Sequence, residues 1–464
     1  GAMIRLGMKF LIMFFLGVAL FGVVSAGGFI PRYEQATLPN GLTVIMVEDH
    51  KQPMVQFAAL IKTGSVTLTA DQAGLANLTA ILARQGTTNF PAQKLTAAID
   101  SVGAIIYVMS SFKDGIIIRG ESLSRHLGHI LTVFSDILIR PAFTDEAIER
   151  LKKRFLSAAM QTESMPEWGL KDILYRKYYG DEGYGLPNLG TPASLKKITR
   201  ADIVKFHQDN FRPNNTVIIM AGDFKIETAR KLIGKLFSDW SPGAGFPTPR
   251  SAITFPDSLR ILLIDYPSAP SVDFAIGQPG APVGSEDYPA LILLNYILGE
   301  SGSVSRLSRN LVRDNSLATY VNSQIDWSRG DGILWIYGSS PADNIPEALR
   351  RLISVLSDIR SIRISVKELD EAKLFFRGFM PGLYETNRAT IERFATALGS
   401  GVGVDYQEKL LSDLDRVDPG RLRLVAEKYL DPKRMTIVIQ GSAASLKNQL
   451  SEIAPVEVIS SWQD

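Results

Sequence analysis

Hydrophobic and polar positions follow two different periods along this chain, and the switches between them mark its elements. Period-two stretches predict strands over 33–37 and 42–48, joined by the Asn40-Gly41 turn, and another over 53–62. Helical spacing of apolar residues predicts helices over 71–85 and 91–102. An apolar strand pair then covers 104–120, turning at Lys113-Asp114-Gly115, and helices follow over 122–139 and 144–179. Strands neighbouring in sequence, with helices grouped between them, predict an α+β sandwich.

The pattern then recurs. Residues 198–222, ITRADIVKFHQDNFRPNNTVIIMAG, align without a gap on 417–441, VDPGRLRLVAEKYLDPKRMTIVIQG. Pro213 falls on Pro432, and Gly222 on Gly441. Each copy opens at a capping residue (Thr199, Asp418), runs as an amphipathic helix, breaks at proline and ends in an apolar strand. PMVQFAALIKTGS from Pro53 likewise resembles PSVDFAIGQPGAP from Pro270. Two separate matches at nearly the same separation imply a duplicated unit of roughly 200 residues, far longer than a solenoid repeat. The segment 241–256, SPGAGFPTPRSAITFP, lies between the copies and has the composition of a linker. The expected domains are therefore 27–240 and 257–464, joined by 241–256.

The N-terminus has a different character. Gly1-Ala2 before Met3 reads as a cloning scar. Arg5 and Lys9 precede an apolar run from Phe10 to Val24, shorter than the ~20 residues of a membrane span. Val24-Ser25-Ala26 offers small residues for signal peptidase, so 1–26 reads as a leader; an uncleaved anchor is the other reading. Cleavage would leave an exported chain from near Gly27 with no membrane segment. Among its 464 residues, Lys+Arg 50 against Asp+Glu 48 gives a net charge of +2, which argues against a broad nucleic-acid surface. Cys 0 removes disulfides, thiolate metal sites and thiol catalysis. The histidines are His50, His126, His129 and His207, too few for a histidine-rich metal centre. His126 and His129 stand three apart on a predicted helix without a third ligand, and His50 and His207 read as surface residues.

A family resemblance rests on ordered landmarks over nearly the whole mature chain. Leu38-Pro39-Asn40-Gly41-Leu42-Thr43-Val44, Gly64-Ser65 and the segment from Gly74-Leu75-Ala76 come first. Tyr184-Gly185, Leu189-Gly190-Thr191 and Phe211-Arg212-Pro213-Asn214-Asn215 follow. Ser305-Arg306-Leu307, Leu311-Val312-Arg313 and Leu317-Ala318-Thr319-Tyr320 close the series, with one residue inserted before the tyrosine. In these the chain resembles the two-domain M16 (insulinase and mitochondrial processing peptidase) zinc peptidases. The resemblance implies two homologous α/β-sandwich domains of the α+β class.

It also implies a missing metal site. The family's His-x-x-Glu-His holds zinc through two imidazoles one helical turn apart, with the glutamate as general base. The matching positions here are Asn77, Ala80 and Ile81, and the family's third ligand, a glutamate on a later helix, falls at Ala158. No acidic residue occurs between Arg150 and Gln161. The first half is thus expected to hold no metal and to hydrolyse nothing alone.

What the resemblance leaves is substrate handling. In the family, zinc can come from one chain while a similar chain supplies an Arg and a Tyr from its second half; Arg313 and Tyr320 match them. An arginine fork suits peptide carbonyls or a carboxylate, and a tyrosine hydroxyl can donate to an oxyanion. An Arg313–Asp314 surface pair and a buried strand tyrosine are the plainer reading. Gly299-Glu300-Ser301-Gly302-Ser303 resembles a shortened form of the glycine-rich, substrate-touching loop of noncatalytic subunits, and reads equally as a helix cap and turn. The family's peptide-pairing edge strand would fall near Ile105–Ser111, where Tyr107-Val108 replaces the usual Asn-Ala. The resemblance therefore implies the noncatalytic subunit of an exported, periplasmic heterodimer, its zinc in the homologous partner chain and a peptide as substrate. A stand-alone, homodimeric peptide-binding or assembly protein is the alternative; a respiratory-complex core subunit shares the fold, but the bacterial-style leader speaks against it.

Overall fold

The computed structural model of the chain describes residues 21–24, 28–162, 166–245, 253–267, 271–361 and 364–459. The first sheet contains β1 Phe21–Val24, β2 Tyr33–Thr37, β3 Thr43–Glu48, β4 Met54–Ile61, β5 Ile105–Phe112, β6 Gly115–Leu123 and β7 Thr216–Gly222. Their order is β1-β2-β3-β7-β4-β6-β5. The second contains β8 Arg260–Asp265, β9 Val272–Pro279, β10 Tyr320–Ile325, β11 Ile333–Ser340, β12 Thr436–Gly441 and β13 Val456–Ile459, in the order β10-β11-β9-β12-β8-β13. The series β3-β7-β4-β6-β5 and β8-β12-β9-β11-β10 are the same ladder. Its first pair is parallel and its other three pairs are antiparallel in both sheets. The duplication visible in the sequence is a duplication of the fold, giving two domains of the α+β class.

The helices keep the same order in both halves. The first half has α1 Leu75–Ala83, α2 Ala92–Asp100, α3 Leu127–Ile139, α4 Asp145–Thr162, α5 Pro166–Tyr179, α6 Pro192–Lys197, α7 Arg200–Asn210 and α8 Ile226–Phe237. The second has α9 Tyr288–Asn295, α10 Arg306–Ser308, α11 Ile345–Ser361, α12 Val366–Gly382, α13 Asn387–Gly399, α14 Tyr406–Arg416, α15 Pro419–Tyr429 and α16 Ala443–Ser451. The repeated caps form as expected: Thr199 accepts from the Asp202 amide and Asp418 from the Arg421 amide.

Three predicted boundaries move. The helix expected over 71–85 begins at Leu75, because Gly74 takes φ +89° and separates it from a short 3-10 turn at Ala70–Gln72. The helix expected from 122 begins at Leu127, because β6 stays paired with β4 as far as Leu123 opposite Met54. The span 144–179 holds two helices, the second opening at Pro166, where a residue without an amide hydrogen loses nothing. Of the expected leader, 1–20 and 25–26 lie outside the described residues, and Phe21–Val24 pairs antiparallel with β2. Part of the expected linker, 246–252, also lies outside them. Among the described residues no helix is long and apolar enough to cross a membrane.

Both faces of each sheet are buried, and the period of two separates them. In β4, Val55, Phe57, Ala59 and Ile61 join the core under the first half's own helices. Ala58 and Leu60 point the other way, into a core shared with Ile391, Phe394 and Ala395 of α13, a second-half helix. The second sheet reciprocates. Ile437 and Ile439 of β12 meet its own helices. Val438, Leu262 and Ala275 meet Leu170, Leu174 and Tyr178 of α5, a first-half helix. Tyr178 fixes this exchange: its hydroxyl donates to the Gly277 carbonyl at 2.9 Å and accepts from the Thr436 amide at 3.1 Å.

Candidate functional site

The first half's candidate face is made by α1 and α4. Gly74 must be glycine to start α1 here: besides its positive φ, a Cβ would lie 2.9 Å from the Gly190 backbone. The chain from Gly86 to Thr88 bonds 140–142 just before α4 begins, so α4 runs back along α1. Arg150 on α4 donates to Gln85 at 3.3 Å beyond the end of α1. Asn77, Ala80 and Ile81 lie within a little more than one turn of α1, and Ala158 lies on α4. Asn77 is buried and donates from Nδ2 to the Asn188 carbonyl at 3.4 Å, while its Oδ1 has no partner. Ala80 is fully buried in the core and Ile81 packs against it.

This donor set does not fit zinc. An amide, a methyl, a butyl and a second methyl offer no imidazole and no carboxylate. Among the described residues no group of three or more His, Asp or Glu side chains could hold a metal. The histidines are engaged elsewhere. His126 accepts from Arg125 Nε at 3.0 Å, and His129 contacts the Ala98 carbonyl at 2.8 Å. His50 is exposed and bridges Glu48 at 2.8 Å and Asp223 at 2.6 Å, and these two partners raise its pKa, the Asp223 bond foremost. His207 departs from the expectation of a surface residue. It is buried, stacked on Phe211 at 4.5 Å and bonded to the Leu138 carbonyl at 2.9 Å. Burial drives its pKa down to about 4.

The second half gathers its candidates around β10, the edge of its sheet. After α9, a π-turn at Tyr296–Glu300 carries Gly299 against β10, so closely that a Cβ would meet Ser323 Oγ at 2.4 Å. Gly302 follows at φ +62° with open space beside it. Arg313 is exposed and donates to the Ser303 carbonyl at 3.3 Å, tying itself to the glycine loop. No Arg313–Asp314 ion pair forms. Tyr320 opens β10, is half-buried rather than buried, and meets the Tyr337 ring edge-on at 6.5 Å. In the first sheet the equivalent edge is β5, the strand expected to pair with peptides.

Sequence reasoning missed the brace beneath this site. Arg306, quoted only as part of a motif, forms a two-pronged ion pair with Glu368 of α12, both bonds 3.0 Å. Burial raises the Glu368 pKa, but Arg306 and the Ser365 bonds outweigh it and hold the carboxyl at about 2. It also missed an aromatic row beside the loop, in which Phe375 stacks on Tyr296 at 4.6 Å and on Phe379 at 5.2 Å. A run of exposed apolar positions on α12 would have pointed to it.

Residues 43–192 match the insulinase (peptidase family M16) description, and 197–375 match the peptidase M16 inactive domain. The chain belongs to peptidase family M16. Among M16 relatives, it is similar to the non-peptidase homolog YmxG of Helicobacter pylori, 24% identical over 435 residues, 93% of this chain and 98% of that one. It is also similar to the zinc protease PqqE of the same organism, 23% identical over 445 residues, covering 94% and 98%. The crystal structure of a peptidase M16 inactive domain from Pseudomonas fluorescens shares the fold, with a TM-score of 0.81 at 22% identity over 88% of this chain and 98% of that one.

Proposed function

We propose that this protein is the noncatalytic subunit of an exported, heterodimeric M16 zinc peptidase. The observation that carries the reading is the contrast between its halves. The first half has lost all four metal-site functions at Asn77, Ala80, Ile81 and Ala158, whereas the second keeps Arg313, Tyr320, Gly299 and Gly302 assembled along one sheet edge. A zinc-bearing homologous chain would perform metal-assisted peptide hydrolysis. This chain would close the chamber, hold the peptide through the Arg313 guanidinium beside the glycine loop, and offer the Tyr320 hydroxyl to the developing oxyanion. That one organism holds both a non-peptidase homolog and a zinc protease similar to this chain supports a division of labour. The leader-like N-terminus supports an exported, periplasmic site of action, with no membrane attachment after cleavage.

The test is to purify the tagged chain from its native exported fraction and identify what co-elutes. The expected result is an equimolar chain of similar size bearing His-x-x-Glu-His and zinc. In that complex, Tyr320→Phe should lower kcat roughly a hundredfold, as loss of one oxyanion donor does, and Arg313→Ala should raise KM without splitting the pair. Recovery of this chain alone, as a monomer or homodimer without zinc, would replace the reading with that of a stand-alone peptide-binding or assembly protein. Unchanged kinetics in both variants would remove these two residues from substrate handling.

A further inference from the structure

Helix α12 carries an apolar face that is open to solvent. Its buried stripe, Leu369, Ala372, Phe376 and Met380, joins the second half's core. Phe375 and Phe379 stand outside that stripe, one turn apart, with Leu374 beside them. Leu374 is 66% exposed, Phe375 39% and Phe379 48%. Phe375 contacts two other rings, stacking on Tyr296 at 4.6 Å and on Phe379 at 5.2 Å. Single exposed apolar side chains are ordinary, whereas a contiguous patch of them marks a contact surface.

This face continues the candidate site. Tyr296 opens the π-turn that carries Gly299 against β10, so the aromatic row starts where the glycine loop starts. Arg306, just past the loop, is paired with Glu368, two turns before Phe375 on α12. Both ends of the loop thus rest on α12. The surroundings are acidic. Burial raises the pKa of the Tyr296 hydroxyl, and the charges of Glu300 and Glu371 raise it further, which places both carboxylates near the row. Glu300 is exposed and accepts from Asn295 at 2.8 Å. Lys367 reaches Glu371 only at 3.9 Å, an exposed contact worth little. The next cations along α12, Lys373 and Arg377, are both bonded to Asp415.

The size of the face decides between occupants. Three side chains exposed to this extent offer roughly 300 Å², against ~800 Å² per partner in a stable protein–protein interface. That is too little to hold a second folded chain and matches one or two apolar side chains of a peptide. Open rings suit another ring, which stacks or meets them edge-on, and two carboxylates beside them suit a cation. We propose that Tyr296, Phe375 and Phe379 form a subsite for an aromatic residue of a bound peptide, and that Glu300 and Glu371 select a lysine or arginine next to it. The proposal rests on the reading that this chain handles peptides and names their class. It needs no zinc-bearing partner, because every group belongs to this chain.

The experiment uses the full chain alone and four fluorescein-labelled peptides of one Gly/Ser-rich sequence. They carry a central Phe or Ala, flanked on both sides by Lys or by Gln, and binding is read by anisotropy. With Lys flanks, the Phe peptide should bind roughly tenfold more tightly than the Ala peptide. The Lys flanks should add a smaller gain that falls as salt is added. Phe379→Ser should abolish the preference for Phe at a little-changed melting temperature, and Phe379→Leu, which keeps apolar contact without the ring, should fall between. Glu371→Gln should reduce the gain from Lys and leave the preference for Phe. Arg313→Ala should weaken all four peptides by one factor. A preference for Phe that persists in it supports the subsite even where no zinc-bearing partner is recovered, so the two readings fail separately. Equal binding of the Phe and Ala peptides, no binding of any, or a preference for Phe that survives Phe379→Ser would overturn the proposal. So would loss of a zinc-bearing partner from Phe379→Ser with peptide binding unchanged, which would assign the face to the subunit interface.

Discussion

His207 links one side chain to the acid stability of the whole chain. In the native state burial holds its pKa at about 4, against ~6.5 when unfolded. Above pH 6.5 the ring is neutral in both states and its contribution is complete. As pH falls from 6.5 toward 4, the unfolded chain takes up a proton that the native chain refuses, and stability declines by about 3 kcal/mol in all. Urea unfolding of the wild type at pH 7 and pH 4.5 should register most of that loss. His207→Gln, which can still donate to the Leu138 carbonyl, should be less stable at pH 7 yet lose less on acidification; an unchanged pH slope would assign the acid sensitivity to other groups. The residue was misjudged from sequence because its surroundings, Leu138 and Phe143, come from another segment. Asn77, Ala80 and Ile81 were legible because their motif lies within one helical turn.

At the scale of elements, the start of α1 decides where the candidate face lies. Gly74 and Gly190 approach so closely that neither tolerates a side chain, and both hold positive φ. Gly74→Ala should cost at least about 1–2 kcal/mol from the left-handed backbone alone, with the steric contact adding to it. The chemical denaturation midpoint measures this, and a variant as stable as the wild type would mean that α1 can shift away from Gly190. The sequence pattern placed a helix in this region but not its first residue, because the reason for the break is a contact more than a hundred positions away. The caps at Thr199 and Asp418 were readable for the opposite reason, since each acts on its own next turn. The edge position of β10 depends on strand order, which local pattern does not encode.

At the scale of the molecule, the duplication was legible as two matched segments, whereas the exchange of α5 and α13 between the halves was not. Continuous apolar runs mark which strands bury both faces but are silent on which helix covers them. The exchange makes the halves one cooperative unit. A protease site inserted just after Gly245, once cut, should leave two fragments that co-elute in gel filtration and melt in a single transition. Two separate peaks would show that the shared cores around Tyr178 and Phe394 contribute little. The same exchange has a consequence during synthesis. When Gly222 leaves the ribosome the first sheet is complete, but Ala58, Leu60, Ile219 and their neighbours stay uncovered until Asn387–Gly399 has been made. The nascent chain therefore carries a bare apolar sheet through more than a third of its translation, a surface that a holding chaperone or an export machinery selecting unfolded cargo would grip.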